Sequence, residues 1–407
     1  MTRIREVLGL FKQEVLRTLQ AERWLLFTVL GLVVFGLIMV YSASFIYAQD
    51  RTGDGFSLIR KQVVFAFLGV LALFVGASIP PRKWLDWSYP LMGTALVLLA
   101  LVLIPGVGAR VGGAQRWIRV AGTNFQPGEF AKFAILFFTA GQLVKKWDRL
   151  REFVPGVLSH FLVPLPLFLL LLAQPDFGTF AMVSIVIYFM LFIAGSNLKY
   201  LGVMMMVGLS SFAGLIAFSP YRRARILGFL DPWGDPGGKG FQIIQSLLGL
   251  HEGGLWGVGL GNSKEKLLYL PEAHNDFIFA VIGEELGFIG VCAVLISYLF
   301  LVYRGMKIAF RAYEDGRNAH SMLLASGITL ALGFQALFNL GVVLGLLPTK
   351  GLTLPLISYG GSALVVDLFA VGVLLSVARE TAMGGLFALT NQGVKNERIS
   401  YQTSSIS

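Results

Sequence analysis

The chain has 407 residues, 56% of them hydrophobic and only 14% charged, with a formal net charge of +10. A soluble chain of this length carries more charge and divides into two or three domains, so a soluble multidomain enzyme is excluded. Apolar runs of about 18 or more residues, the length that crosses a bilayer as a helix, recur along the whole sequence.

The fold class is therefore all-α, a polytopic integral membrane protein. Residues 1–23 form an amphipathic segment: Val7, Leu8, Phe11, Val15 and Leu19 make one stripe, with Arg3, Arg5, Lys12 and Arg17 elsewhere. It is expected to lie on the inner leaflet. It does not read as a cleavable signal peptide. Ten spans follow, at about 24–44, 62–80, 87–104, 129–145, 155–173, 177–195, 199–218, 276–303, 319–346 and 357–379. A membrane domain thus covers residues 24–379, with a long loop over 219–274 between helices 7 and 8. The polar tail 380–407 is expected to be disordered.

The charge is a topology signal. With the N-terminus inside, the inner connections hold 19 Lys and Arg and the outer ones 13, of which the long loop alone holds 6. Only short loops obey the rule strongly, so both termini are assigned to the cytoplasm and the 219–274 loop to the far side. Nucleic acid is not an expected partner.

Four segments carry candidate chemistry, all on the outer side. Pro127 and Glu129 read as a helix start. Glu129 and Lys132, three apart, share a face. They form either an intrahelical ion pair or, since a lysine inside an apolar span is costly unless used, a cation facing a phosphate. Arg222, Arg223 and Arg225 follow the seventh span, as a solvated cluster or a clamp for an anionic head group. Residues 239–250 beyond them have the pattern of a short amphipathic helix on the outer leaflet. Glycine-rich residues 249–266 and the loop 347–362, with Lys350 and Ser358, offer backbone amides compatible with an anion-binding nest. The GxGxxG likeness at 257–262 fails for a dinucleotide site, because residue 262 is Asn and no strand–helix unit surrounds it.

The fourth segment, 266–290, heads a long apolar helix with Asn275 and Asp276. Asp276 reads as a helix N-cap or as a general base at the membrane surface, where partial desolvation raises a carboxylate's proton affinity. Glu284 and Glu285 lie about two turns deeper, roughly 12 Å along the axis. They are expected to pair with a basic group rather than do chemistry. His274 reads as a local hydrogen-bond partner or a surface histidine. His160, His251, His274, His320 and the lone Cys292 lack metal-ligand spacing. A hard divalent cation (Mg or Mn) held by carboxylates and a pyrophosphate stays compatible.

Six strings in order, GAQRW (113–117), FQPGEFAK (125–132), QPDFGT (174–179), RRARILGFLDPW (222–233), GVGLGNSKEKLLYLPEAHNDFIFAVIGEELG (257–287) and LPTKGLTLPLISYGGSAL (347–364), span nearly the whole chain. On these the chain resembles the SEDS family (shape, elongation, division and sporulation proteins). Asn124 before FQPGE and the PTKGLTLP string are similar to its division-type rather than its elongation-type members. The resemblance implies a peptidoglycan glycosyltransferase that polymerises lipid II, an undecaprenyl-pyrophosphate-linked disaccharide peptide, into β-1,4-linked glycan at the outer face of the bacterial inner membrane, at the division septum. It implies a class B penicillin-binding transpeptidase and other division-complex membrane proteins as partners. It also implies that Asp276 is the essential acid and that Glu129 and Lys132 take part; Arg222, Arg223, Arg225 and Ser358 are weaker carry-overs. A lipid II flippase and a non-catalytic division scaffold are the rival readings. Gly128, His251-Glu252, Ala363 and Asp367 depart from the family pattern, and the sequence gives Asp367 no role.

Overall fold

The computed structural model describes residues 22–404 apart from 112–113, 121–122, 239, 267–269, 271–272, 317 and 350. The expected segment 1–23 therefore lies outside the described residues except for Glu22 and Arg23. Twelve helices are named here: α1 Arg23–Thr52, α2 Ser57–Ser78, α3 Pro81–Leu103, α4 Pro127–Lys145, α5 Phe153–Ala173, α6 Phe177–Ile193, α7 Leu198–Ala217, α8 Pro220–Leu230, α9 Phe241–Gly253, α10 Ile278–Gly316, α11 Ala319–Val343 and α12 Gly361–Ser404. Helix α5 opens on a π-helical turn at Phe153–Leu158.

Among the described residues eight helices are long and apolar enough to cross a membrane, and α6 is a shorter apolar helix of 17 residues. Helix α4 holds Glu129, Lys132 and Lys145 in 19 residues. These ten match the ten expected spans one for one. Burial ranks them by depth. Helices α11 and α12 are 72% buried over their apolar windows and α7 only 6%. Nearly every residue of α4 is enclosed. A helix apolar on all sides belongs in the centre of a bundle or against lipid; α4, α11 and α12 take the centre and α7 the rim.

Three features depart from the sequence-based expectation. First, a three-stranded antiparallel sheet interrupts the all-α pattern: β1 Gly108–Val111, β2 Ala114–Val120 and β3 Thr123–Phe125. Trp117, Ile118 and Val120 favour strand, but the glycines and arginines around them masked that signal. Ala109 pairs with Trp117 and Arg119 with Asn124. Second, α9 does not simply rest on lipid. Ile243, Ile244 and Ser246 face inward, and the Ser246 hydroxyl donates to the Val343 carbonyl at 2.7 Å. Third, the α12 backbone stays helical to Ser404 where disorder was expected from residue 380. No proline follows Pro355 to stop it.

Helix α10 is broken at Gly287, whose φ of 65° lies in the left-handed region. The glycine-rich loop docks into the break: Val258 and Gly259 amides donate to the Glu284 and Glu285 carbonyls at 2.9 and 3.0 Å, and the Phe288 amide to the Gly254 carbonyl at 2.9 Å. Those amides are committed to protein carbonyls, so the glycines of 253–261 serve backbone packing and not the expected anion nest. At the opposite end Glu22 pairs with Arg304 and lies 3.8 Å from Arg311, fastening the start of α1 to α10.

Candidate active site

The described connections 105–126, 174–176, 231–277 and 344–360 meet at one end of the bundle. Asp276 sits there two residues before α10, half-exposed. Its main chain is clamped. The Asn339 amide of α11 donates to the Asp276 and Leu352 carbonyls, both at 2.7 Å. The Ser358 hydroxyl donates to the Asn275 carbonyl at 2.7 Å and accepts from the Leu354 amide at 2.8 Å. The Tyr359 amide donates to the His274 carbonyl at 3.0 Å. The loop before α10 is thus sewn to the 347–360 loop. His274 is not a surface histidine: it is buried between Tyr47 and Tyr359, with ring centroids 4.8 and 5.7 Å away. Ser358 is buried too, so its hydroxyl holds the loop and does not face an anion in this conformation.

Gly351 marks where two charges of opposite sign converge. A Cβ placed on it would stand 3.2 Å from Asp276 Oδ2 and 3.9 Å from Arg116 Nη1. Arg116 comes from β2. Its Nε donates to the Gln174 carbonyl at 3.2 Å, its Nη2 to the Pro175 carbonyl, and its Nη1 lies 3.9 Å from Asp176 Oδ1. Asp176 caps α6, accepting from the Thr179 hydroxyl at 2.9 Å. Burial pushes the Asp176 carboxyl above the usual carboxylate range, and Arg116 and Thr179 pull it back. Gly128, one of the departures from the family pattern, would bring a Cβ within 3.1 Å of Asp176 Oδ2.

Beneath this surface lies a sealed charge cluster. Lys132 Nζ donates to Glu129 Oε2 at 2.7 Å, Gln335 Oε1 at 2.7 Å and Asp367 Oδ1 at 3.0 Å. An ammonium has three donors, and all are taken. Lys132 is 1% exposed, so in this conformation it neutralises carboxylates and does not face a phosphate. Asp367, unexplained by the sequence, is half of that arrangement. The Gln335 amide continues upward to the Thr353 carbonyl at 3.1 Å, linking the cluster to the loop that carries Gly351.

The three arginines of α8 are dispersed. Arg225 donates to the Thr349 carbonyl at 2.9 Å. Arg222 turns back to the Leu215 carbonyl at 2.9 Å and stacks 4.9 Å over Phe177. Arg223 is exposed. Lys350 lies outside the described residues. Glu285 pairs with Lys266 at 2.8 Å, with Ser42 hydrogen-bonded to both, as expected for a carboxylate that needs a cation. Glu284 accepts from the Ser263 hydroxyl and from the Lys264 amide at 2.6 Å, with no ion pair among the described residues. Among the described residues no three His, Cys, Asp or Glu side chains are gathered to hold a metal ion.

Sequence reasoning placed Asp276, Glu129 and Lys132. It carried Arg116 and Asp176 only within the GAQRW and QPDFGT strings and passed over Asn339 and Gln335.

A family model described as cell cycle protein, covering FtsW, RodA and SpoVE, matches residues 23–383. A probable peptidoglycan glycosyltransferase FtsW from Geobacter sulfurreducens is 46% identical over 355 residues, 87% of this chain and 94% of that protein. Stage V sporulation protein E of Bacillus subtilis is 43% identical over 348 residues, 86% of this chain and 94% of that one. A solved structure described as the structural coordination of polymerization and crosslinking by a peptidoglycan synthase complex superposes with a TM-score of 0.70 at 35% identity, covering 88% of this chain and 97% of that chain. The rod shape determining protein RodA of Thermus thermophilus superposes with a TM-score of 0.64 at 31% identity, covering 88% of this chain and 96% of that chain.

Proposed function

The chain belongs to the FtsW/RodA/SpoVE family of cell cycle proteins as a division-type peptidoglycan glycosyltransferase, and from that premise we propose that it polymerises lipid II with Asp276 as general base. The observation that carries the reading is Asp276 itself. It is a half-exposed carboxylate at the mouth of the bundle, its carbonyl held by Asn339 and the two residues before it by Ser358 and Tyr359, with an anchored guanidinium near the same glycine. A rigid mount is what general-base geometry requires.

Asp276 accepts the proton of the acceptor sugar's C4 hydroxyl. That oxygen attacks C1 of the donor sugar, the C1–oxygen bond to the lipid diphosphate breaks, and the configuration inverts to a β-1,4 link. The diphosphate leaves with the electron pair and so needs positive charge nearby. Arg225 and Arg222 border the site on α8, and the exposed Arg223 can gather anionic head groups. Glu129 and Lys132 act from below by holding the loop that carries Gly351.

The charge asymmetry of the connections supports a position of this end outside the cytoplasm, where lipid II would be polymerised at the outer face of the inner membrane; the septal place rests on the division-type relatives. A class B penicillin-binding transpeptidase is the proposed partner. The synthase complex similar to this chain, in which polymerization and crosslinking are coordinated, supports that pairing.

Vesicles reconstituted with the purified chain and lipid II, with and without the transpeptidase and magnesium, test the reading. Glycan strands are expected. Lipid II that crosses the bilayer without forming polymer in any of these mixtures would replace the enzyme reading with the flippase one.

A further inference from the structure

We propose that Arg116 and the open backbone at Gly351 form the seat of the leaving diphosphate, with Arg116 as the cation that meets its developing charge. The inference rests on the glycosyltransferase reading above and adds to it the leaving-group site. Residues 174–176 hold Arg116 on two sides: two carbonyls take Nε and Nη2, and the Asp176 carboxylate lies beyond Nη1. A guanidinium presents five donors in a rigid fork. Anchored this way, its Nη1 comes within 3.9 Å of the place a Cβ on Gly351 would take, and Asp276 Oδ2 within 3.2 Å of the same place.

Gly351 is exposed and is not among the positive-φ glycines, so its backbone does not require glycine. The space does: a methyl group there would stand 3.2 Å from the acid and 3.9 Å from the cation. Glycine at such a point allows a ligand to approach the backbone closely. Lys132, one of the cations the sequence offered for a phosphate, is enclosed by three acceptors.

The balance of the step fits. The acceptor hydroxyl's proton goes to Asp276, the acceptor oxygen bonds to C1, and the C1–oxygen bond to the diphosphate breaks on the opposite face, so the diphosphate sits on the Arg116 side of Gly351, away from the Asp276 carboxylate. The departing diphosphate gains one negative charge, and a guanidinium fork matches phosphate oxygens. Asp176, buried against Arg116, is a positioning residue.

Arg116→Ala should lower lipid II polymerisation about 100-fold or more, the usual cost of removing one preorganised charge stabiliser. Arg116→Lys should recover only part of it, because an ammonium restores charge without the fork. Binding is read separately, in an Asp276→Asn background with undecaprenyl diphosphate as the probe. Adding Arg116→Ala should weaken it about tenfold or more, the loss of a charge-assisted pair. Gly351→Ala should keep the wild-type melting temperature, since its methyl meets only side-chain ends, and still lose most polymerisation. Wild-type turnover by Arg116→Ala or by Gly351→Ala would overturn the proposal, and so would diphosphate binding indifferent to Arg116. Polymer formation by Asp276→Ala would instead remove the base assignment, so the two failures are told apart.

Discussion

At the residue scale, the buried charges show which acids serve structure and which serve chemistry. Lys132 holds together two carboxylates that would otherwise be buried without a cation. Breaking a buried pair costs about 3–5 kcal/mol because the partner stays behind unpaired. Lys132→Met should therefore lower the melting temperature in detergent sharply. Adding Asp367→Asn and Glu129→Gln to it should restore part of the loss. A single Lys132→Met variant as stable as the parent would contradict this account. Glu265 responds to pH in a definite direction. Burial, then the charges of Glu284 and Glu252, push its carboxyl from the ordinary 4.5 up to about 7. The folded state thus holds the proton more tightly than the unfolded chain. This stabilisation is complete below about pH 4.5 and is lost as pH rises towards about 7. Melting curves of wild type and Glu265→Gln should show the variant gaining relative stability across that window, and a pH-independent difference would refute the assignment. What the sequence showed at this scale was local. Glu129 and Lys132 declared themselves by spacing, and Asp276 by its place at a helix head. Arg116, Asn339 and Asp367 reach the site from distant parts of the chain, and no local pattern announces such a meeting.

At the scale of the element, the decisive feature is the break in α10. Glycine-rich sequence suggested turns and a phosphate nest, whereas the loop 253–261 is a plug whose amides substitute for the helix's own hydrogen bonds. Gly287 makes this fit, because a Cβ on it would run into the backbone of Leu255 and Gly257. Gly287→Ala combines a left-handed φ with that clash. It should cost more than the roughly 1 kcal/mol of an ordinary left-handed substitution, with lower thermal stability and faster proteolysis within 253–266. Unchanged proteolysis would show that the loop is not held by the break. The Lys266–Glu285 pair nails the far end of the same loop to α10, with Ser42 of α1 as third member. Periodicity gave helix positions well, because apolar helices of membrane length leave a strong signal. It could not give the small sheet, whose strands of three to seven residues carry too few alternating positions.

At the scale of the molecule, ten of the twelve described helices run through the bundle, bring four distant connections to one end and leave the other to short, basic ones. The charge count alone oriented the chain, and the structure gathers the candidate site at the end so assigned to the outside. Depth was not legible in hydropathy. Helices α7 and α11 are both apolar, yet one lies at the rim and the other in the centre, because composition does not say which helix meets lipid and which meets protein. The buried polar set of α11, with Gln335 and Asn339, is the physical difference, since such residues join helices to each other and not to lipid.

The central claim, that one carboxylate at the head of α10 removes the acceptor's proton, is tested most directly by polymerisation of lipid II by purified Asp276→Ala beside wild type, each with the transpeptidase partner and magnesium. The account predicts a variant that inserts, melts close to wild type and forms no glycan. Strands made by that variant at the wild-type rate would contradict it.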